Sequence, residues 1–436
     1  AKNGLLYEFD QAYKMDTIAF YTQPLIPGEP DYSYVKAVYW DEGGQRVDLK
    51  NVPLQKKTDA EGRKYYVIKL PAAVTTNKLQ FGLARALASG NVTVTEVYFY
   101  YYDELMDEIM GLYTDDLHTV LRPEVTQGTI DALRTKINTK DEISGEYHPD
   151  KELLELELQT AEAILKDQKL KDPVEIHFGG LNAWQPLGVT AAAEEEIIVY
   201  VGHATKKTGE DAQLQLVATQ YHSEASNMFT AVAGLKIGPN KVSIPKIWTT
   251  AGFESGGALY VQYTGGNLND RYAVRVSGGV QVPRLDLYHV TDQAERLERT
   301  EAFVRELETY VAQMDQKHQE VHQNSGNSNI AMAYDERNCI LGAGDILLDT
   351  MMLSLPLKQI WEGAGSGSAD EKAARILSSM DAVEGMMDLF YQHKGLNENA
   401  AQALDQYPKG HLNIRYQRMF AKAFMYASGN HIGIEW

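Results

Sequence analysis

Two periods of apolar recurrence follow one another along this chain, and their order confines it to a multidomain α+β fold. Over residues 1–103 the signal is that of strands. Residues 34–40, 65–70, 78–83 and 92–100 are short, β-branched and aromatic, and polar turns such as Asp41-Glu42-Gly43-Gly44 divide them. Strands at this spacing, with no helix between them, predict a β-sandwich. Residues 104–173 switch to helical spacing: Leu105, Ile109 and Leu112, then Ile130, Leu133 and Ile137, then Leu154, Leu158, Ala161 and Leu165. Thr139 with Glu142 reads as a capping box, Asp150 as an N-cap, and Pro173 stops the last helix. A small helical spacer is expected. Residues 174–290 return to strands at 196–201, 213–217, 259–263 and 272–276, between turns such as Gly265-Gly266 and Gly278-Gly279. That predicts a second sandwich. No glycine pair is followed by Lys-Ser/Thr and a helix, so none is a phosphate loop.

From Thr291 the helical period returns. Asp292 with Glu295 caps a helix whose Leu297, Val304, Leu307, Val311 and Met314 make a near-heptad stripe, suited to packing on a domain rather than to a dimerising coiled coil. Near its end His318 and His322 stand at i and i+4 in the string HQEVH, a zinc-pair spacing. Gln319 holds the place of a general base, and the neighbours are Lys, Gln and Asn, so the pair reads as a solvated helix end. Residues 344–348 are expected to open another helix, interrupted at Pro356, with a flexible link over 363–368. In residues 411–436, Tyr416, Phe420, Ala423, Phe424 and Ala427 form one apolar helical stripe, and Gly429 suits a left-handed cap. The period then becomes two. Ile432, Ile434 and Trp436 fall on one side, with His431, Gly433 and Glu435 on the other, as in a half-buried strand. The chain stops in mid-pattern, so it is expected to be the front part of a longer protein.

Composition narrows the function classes. At 436 residues there is room for roughly two to four domains with their own cores. The net charge of −19 lacks the basic footprint that nucleic-acid binding requires. Cys339, the single cysteine, excludes an intrachain disulfide framework and a cysteine-rich zinc site, and reads as a buried small hydrophobe. No apolar run approaches membrane-spanning length, and the start AKNGLLYEF has no signal-peptide profile. Asp103-Glu104 and Asp115-Asp116 could bind calcium, but no alternating-Asp loop with its glycine supports it.

The runs MFAKAFMYASGNHIGIEW and CILGAGDILLDTMMLSLPLKQI resemble segments of the enhancin-like ("M-sixty") zinc metallopeptidases, many of which act on mucins and other O-glycosylated proteins. Trp184-Gln185-Pro186-Leu187-Gly188-Val189 and Gly257-Ala258-Leu259-Tyr260 are similar to the β-sandwich that opens that peptidase region. The first sandwich resembles, in architecture, the discoidin-type carbohydrate-binding modules, where a surface aromatic such as Tyr21 or Tyr32 could stack on a sugar. The resemblance implies four domains: 1–103 a carbohydrate-binding sandwich, 104–173 a helical spacer, 174–290 the family sandwich, and 291–436 the helical start of a zincin-type catalytic domain.

In that family HExxH, with a more distant Glu, follows the closing strand, and a zinc-bound water attacks the peptide carbonyl. This sequence contains no HExxH. The resemblance therefore implies no catalytic residue and no metal ligand in this chain, zinc only in the complete enzyme, and a piece inactive alone. It also implies an edge strand that takes substrate in extended form by backbone hydrogen bonds. Asn430, His431, Gly433 and Glu435 are the candidate substrate-binding residues. O-glycosylated proteins or mucin glycans would be the partners, and the protein would be secreted or at a bacterial cell surface. The alternative is a non-catalytic glycan-binding adhesion protein.

Overall fold

The computed structural model describes the chain apart from residues 1–3, 24–33, 43–44, 59–61, 84–92, 102–103, 141–146, 149, 178–183, 193, 220–228, 246, 249–253, 256, 268, 325–341, 409–410, 418–424, 429–430 and 436. Tyr32, Asp103, Glu142 and Cys339 lie outside the described residues. The fold is mixed α+β, and it divides into two compact units, residues 1–111 with 131–155, and residues 112–130 with 156–436. The expected spacer at 104–173 thus contributes to both.

The first unit is built on β1 (Leu5–Gln23), β2 (Tyr34–Glu42), β3 (Gln45–Thr58), β4 (Lys64–Leu83) and β5 (Thr93–Tyr100). Their order is β2-β3-β4-β1-β5, with β2 also paired to β4. Among the described residues this is one continuous antiparallel sheet, where two separate sheets were expected. The reason lies in strand length. The first half of β4 pairs with the end of β3 and the second half of β1, while its second half pairs with β2 and the start of β1. Register shifts in β1 between Glu8 and Tyr13, and between Met15 and Thr17, bend it. The sheet so folds over a single core of Met15, Ile18, Phe20, Val38, Trp40, Ile68, Leu79 and Phe81. Helix α1 (Glu104–Met110) buries Met106 and Ile109. Helices α2 (Gln127–Ile137) and α3 (Lys151–Lys166) follow. The Thr139 hydroxyl donates back to the Thr135 carbonyl as α2 ends, and Glu142, its partner in the expected box, lies outside the described residues.

In the second unit come β6 (Val174–Ile176), β7 (Trp184–Ala191), β8 (Glu196–His203), β9 (Asp211–Thr219), β10 (Phe229–Lys236) and β11 (Gly238–Ser243). They are followed by β12 (Ile247–Trp248), β13 (Glu254–Ser255), β14 (Gly257–Tyr263), β15 (Tyr272–Ser277) and β16 (Val280–Gln281). Two sheets, β10-β9-β14-β7-β16 and β11-β8-β15-β6, face each other over Val199, Val201, Leu214, Leu216, Leu259, Val261, Tyr272 and Val274. This is a β-sandwich with alternating inward residues. The Gly278-Gly279 turn, both residues at positive φ, carries the chain from one sheet to the other.

The segment 112–130 is tied down to this sandwich. Arg275 donates to the carbonyls of Lys171 and Thr119, each at 2.8 Å, and Arg271 reaches Asp116 and Glu175. Backbone meets backbone at Gly202, where an added Cβ would lie 1.8 Å from the Leu117 carbonyl oxygen.

A six-stranded mixed sheet completes the unit. It comprises β17 (Arg284–Asp286) and, after α4 (Gln293–Asn324), β18 (Ala343–Leu347) and β19 (Met351–Pro356). Helices α5 (Leu357–Gly363) and α6 (Ala369–His393) intervene before β20 (Leu412–Gln417), β21 (Met425–Ser428) and β22 (His431–Glu435). The order is β17-β18-β19-β20-β22-β21. Asp292 Oδ1 accepts from the Glu295 amide, so the expected cap of α4 is present. Val304, Leu307 and Met314 of its stripe are buried with Ile376, Leu377 and Met380 of α6, so α4 packs within its own domain.

Two helices expected from the sequence are strands instead. Residues 343–356 form the β18–β19 hairpin, because both faces of each strand are buried and the resulting apolar run carries no period that separates strand from helix. The stripe from Tyr416 to Ala427 is likewise no single helix: Tyr416 sits in β20 and Ala427 in β21, and Phe420, Ala423 and Phe424 lie outside the described residues. Residues 291–436 are accordingly a sheet with helices and not a purely helical segment. Gly202→Ala is expected to destabilise the second unit by about 2–4 kcal/mol in urea unfolding. Gly234→Ala, where a Cβ meets nothing within 4 Å, should stay within about 1 kcal/mol of the parent.

Candidate functional site

The six-stranded sheet lies between two layers, and its two faces differ in chemistry. Ile346 and Leu353 pack toward α4 and α6. Leu347 and Met352, on the other face, pack on Trp184, Val217 and Tyr260 of the sandwich. In β20 the alternation runs against expectation: His411, Asn413 and Arg415 are buried, at 4%, 0% and 7% exposure, while Leu412, Ile414 and Tyr416 are only half-buried. The polar side is the inward one.

That inversion is stable because the buried groups meet partners. Asp345 pairs across the ladder with Ser354, Ser354 with Arg415, and Arg415 with Gly433, making one row across four strands. From the sandwich, the Tyr260 hydroxyl donates to Asp345 Oδ1 at 2.8 Å. Arg415 Nη2 donates to the Thr219 hydroxyl at 2.9 Å and to the Tyr260 oxygen at 3.1 Å, and its guanidinium lies over the Tyr260 ring at 4.9 Å. Burial pushes the Asp345 carboxyl upward, against the opposing pull of the Arg415 charge and of the Tyr260 and Ser354 hydroxyls. Burial also raises the Tyr260 phenol, which keeps it protonated as a donor. Beside this row His411 Nε2 stands 2.9 Å from the Leu348 carbonyl oxygen, and its ring packs on Tyr288, which also faces His177. Burial holds both His411 and His177 below the ordinary histidine value.

Of the candidate substrate residues, Asn430 and the side chains of His431 and Glu435 lie outside the described residues. The backbone is informative. His431, Gly433 and Glu435 pair in parallel with Asn413, Arg415 and Gln417, so their register positions continue the inward row, and Gly433 is buried. β22 is not the edge. It lies between β20 and β21, and β21 takes the outermost place among the described strands, with Met425 49% exposed. The sequence reading missed Arg415, Asp345 and Tyr260; the strict alternation in His411-Leu412-Asn413-Ile414-Arg415-Tyr416 was the available signal for a strand.

Among the described residues no group of three or more His, Cys, Asp or Glu is placed to hold a metal. Asp116 is engaged by Arg271, and Asp115 accepts from the His118 amide. His318 and His322 lie on α4 with side chains outside the described set. The described residues therefore do not fit a catalytic zinc. No described helix is long and apolar enough to cross a membrane.

No family model matches the chain, and no curated protein matches it. Solved structures do. The structure of the CBM32-1, CBM32-2 and M60 catalytic domains from Clostridium perfringens ZmpB matches 99% of this chain and 42% of its own, at 17% identity and a TM-score of 0.52. The M60 catalytic domain of Clostridium perfringens ZmpC in complex with the sialyl T antigen matches 61% of this chain and 48% of its own, at 16% identity and a TM-score of 0.42. A metallopeptidase from Bacteroides thetaiotaomicron matches 81% and 48%, at 15% identity and a TM-score of 0.39. The chain spans less than half the length of these solved proteins. Its structural neighbours are M60-like metallopeptidases, and what it shares with the ZmpB structure is the fold.

Arg415→Ala should destabilise the second unit by about 3–5 kcal/mol, since it takes the opposing charge from the buried Asp345 and the donor from the Thr219 and Tyr260 oxygens, and Tyr260→Phe by about 1–3 kcal/mol. The double variant Asp345→Leu/Arg415→Met should recover much of the loss, read from urea unfolding. A second expectation concerns pH. His411 and His177 are neutral in the fold, while the unfolded chain takes up their protons near pH 6.5. Stability is therefore kept above about pH 6.5 and lost as pH falls below it. His411→Gln should flatten the fall in Tm between pH 7 and pH 5.

Proposed function

We propose that this chain is the amino-terminal portion of a secreted or cell-surface bacterial zinc metallopeptidase that hydrolyses peptide bonds in mucin-like O-glycosylated proteins. In this reading residues 1–103 are a glycan-binding module, 104–173 a spacer, 174–290 the family sandwich, and 291–436 the first part of the catalytic domain. The observation that carries it is the likeness, over 99% of the chain, to a structure combining carbohydrate-binding and M60 catalytic domains. The zinc site belongs to the complete enzyme, and no chemical step is assigned to residues of this chain.

What the chain supplies is one wall of a groove. β21 is the outermost described strand of the mixed sheet, and an extended peptide laid along it would continue the ladder by backbone hydrogen bonds. Asn430, His431, Gly433 and Glu435, on and beside the neighbouring strand, are the proposed substrate-binding residues, and β20 fixes the register of the last three. The alternative is a glycan-binding adhesion protein without catalysis. The full reading frame, expressed and analysed for zinc and for cleavage of a mucin-type O-glycoprotein, separates them. One zinc per molecule and chelator-sensitive cleavage are expected, with Glu435→Gln altering KM or kcat. A zinc-free protein that only binds glycan would select the adhesion reading.

A further inference from the structure

The folded-over sheet of the first unit carries a small cavity on its outer face, mainly apolar in its lining and rimmed by charged groups, beside the β2–β3 hairpin turn. Register assembles it from four strands. Tyr39 pairs with Asp48 on β3 and with Gln80 on β4, and Gln80 pairs with Leu6 on β1. In the adjacent row Asp41 pairs with Arg46, and Lys78 with Glu8. Because side chains alternate along a strand, residues 39 and 41, 46 and 48, 78 and 80, and 6 and 8 all share one face. Between them lies a cavity of about 150 Å³, lined by Leu6, Tyr39, Trp40, Asp41, Arg46, Lys78 and Gln80.

The lining is ordered by its own contacts. The Arg46 guanidinium lies over the Tyr39 ring at 3.8 Å, so ring and fork form a single wall. Lys78 Nζ is held by Glu8 at 2.6 Å. Trp40, the neighbour of Tyr39 on the opposite side of β2, is 9% exposed and anchors that strand in the core. Arg46 and Lys78 stand against Asp41, Asp48 and Glu8, so the face carries a small negative excess that disfavours an acidic ligand. It offers carboxylate and amide acceptors beside guanidinium, ammonium and amide donors, a set that matches hydroxyl groups, each both donor and acceptor. An aromatic ring and an aliphatic rim supply the apolar contact that the C–H face of a sugar ring needs. At about 150 Å³ the space falls below the ~300 Å³ at which pockets for drug-sized ligands begin, so it suits one ring and not a chain.

We infer that this cavity is the binding site for a single neutral pyranose, the terminal sugar of a glycan, with Tyr39 as platform and Asp41, Arg46, Lys78 and Gln80 as hydroxyl partners. The inference rests on the reading of residues 1–103 as a glycan-binding module and locates its site.

The test is saturation-transfer NMR and calorimetry on the 436-residue chain with methyl galactoside, methyl N-acetylgalactosaminide and methyl glucoside, and with N-acetylneuraminate as the acidic comparator. At least one neutral glycoside should bind. Tyr39→Ala and Gln80→Ala should each weaken it by about tenfold or more, and Tyr98→Ala should leave it unchanged. Arg46→Ala, at an exposed side chain, guards against loss through misfolding and should weaken binding with an unaltered thermal melt. Neutral binding unaffected by Tyr39, Gln80 and Arg46 would overturn this site while leaving the glycan-binding reading standing. Binding of N-acetylneuraminate alone would overturn the neutral class. No binding of any sugar would overturn both.

Discussion

The second unit depends on one buried polar contact, the guanidinium of Arg415 set against the Tyr260 hydroxyl and ring, with Asp345 completing the row. Removing charged groups from water is unfavourable unless each finds a partner, and here the partners come from different layers. Tyr260 and Thr219 belong to the sandwich, whereas Asp345, Ser354 and Arg415 belong to the mixed sheet. Apolar contacts of Leu347 and Met352 with Trp184 and Val217 supply area but little direction. A donor and acceptor row, by contrast, is satisfied in one register only. A slip of a single residue in β20 would bring Ile414 against Tyr260 and turn Arg415 toward the helices.

From that constraint the geometry of the closing strands follows. β20 is fixed by Arg415, β22 pairs with β20 in parallel, and β21 closes the sheet as its outermost described strand. The chain shares its fold with the ZmpB structure, and in the function proposed above these strands serve as one wall of a groove. The first unit stands apart in its physics. Its long bent strands fold one sheet over a single core, and an outer face of alternating aromatic and charged residues remains for a ligand.

Much of the order of elements was legible from periodicity. The strand-rich regions, the sandwich core alternation and the α4 cap at Asp292 follow from local rules that tertiary contacts did not override. The β18–β19 hairpin was not legible, because strands buried on both faces lose the period that marks them. The closing stretch misled for a different reason: Tyr416 and Ala427 fall at helical spacing by coincidence, on strands separated by residues outside the described set. The candidate site was half legible. The strand at His431 was found, and its backbone register, with Gly433 buried, continues the row of Asn413 and Arg415. Burial of Arg415 depends on Tyr260 and Thr219, well over a hundred residues away in sequence, and no local pattern carries that information.

The most direct measurement is amide hydrogen exchange along β20 to β22 in the parent chain and in Arg415→Ala. If the buried row holds the mixed sheet on the sandwich, protection in β20 and β22 collapses in the variant while the sandwich strands β8 and β15 keep theirs. Unchanged protection of β20 and β22 in Arg415→Ala would contradict it.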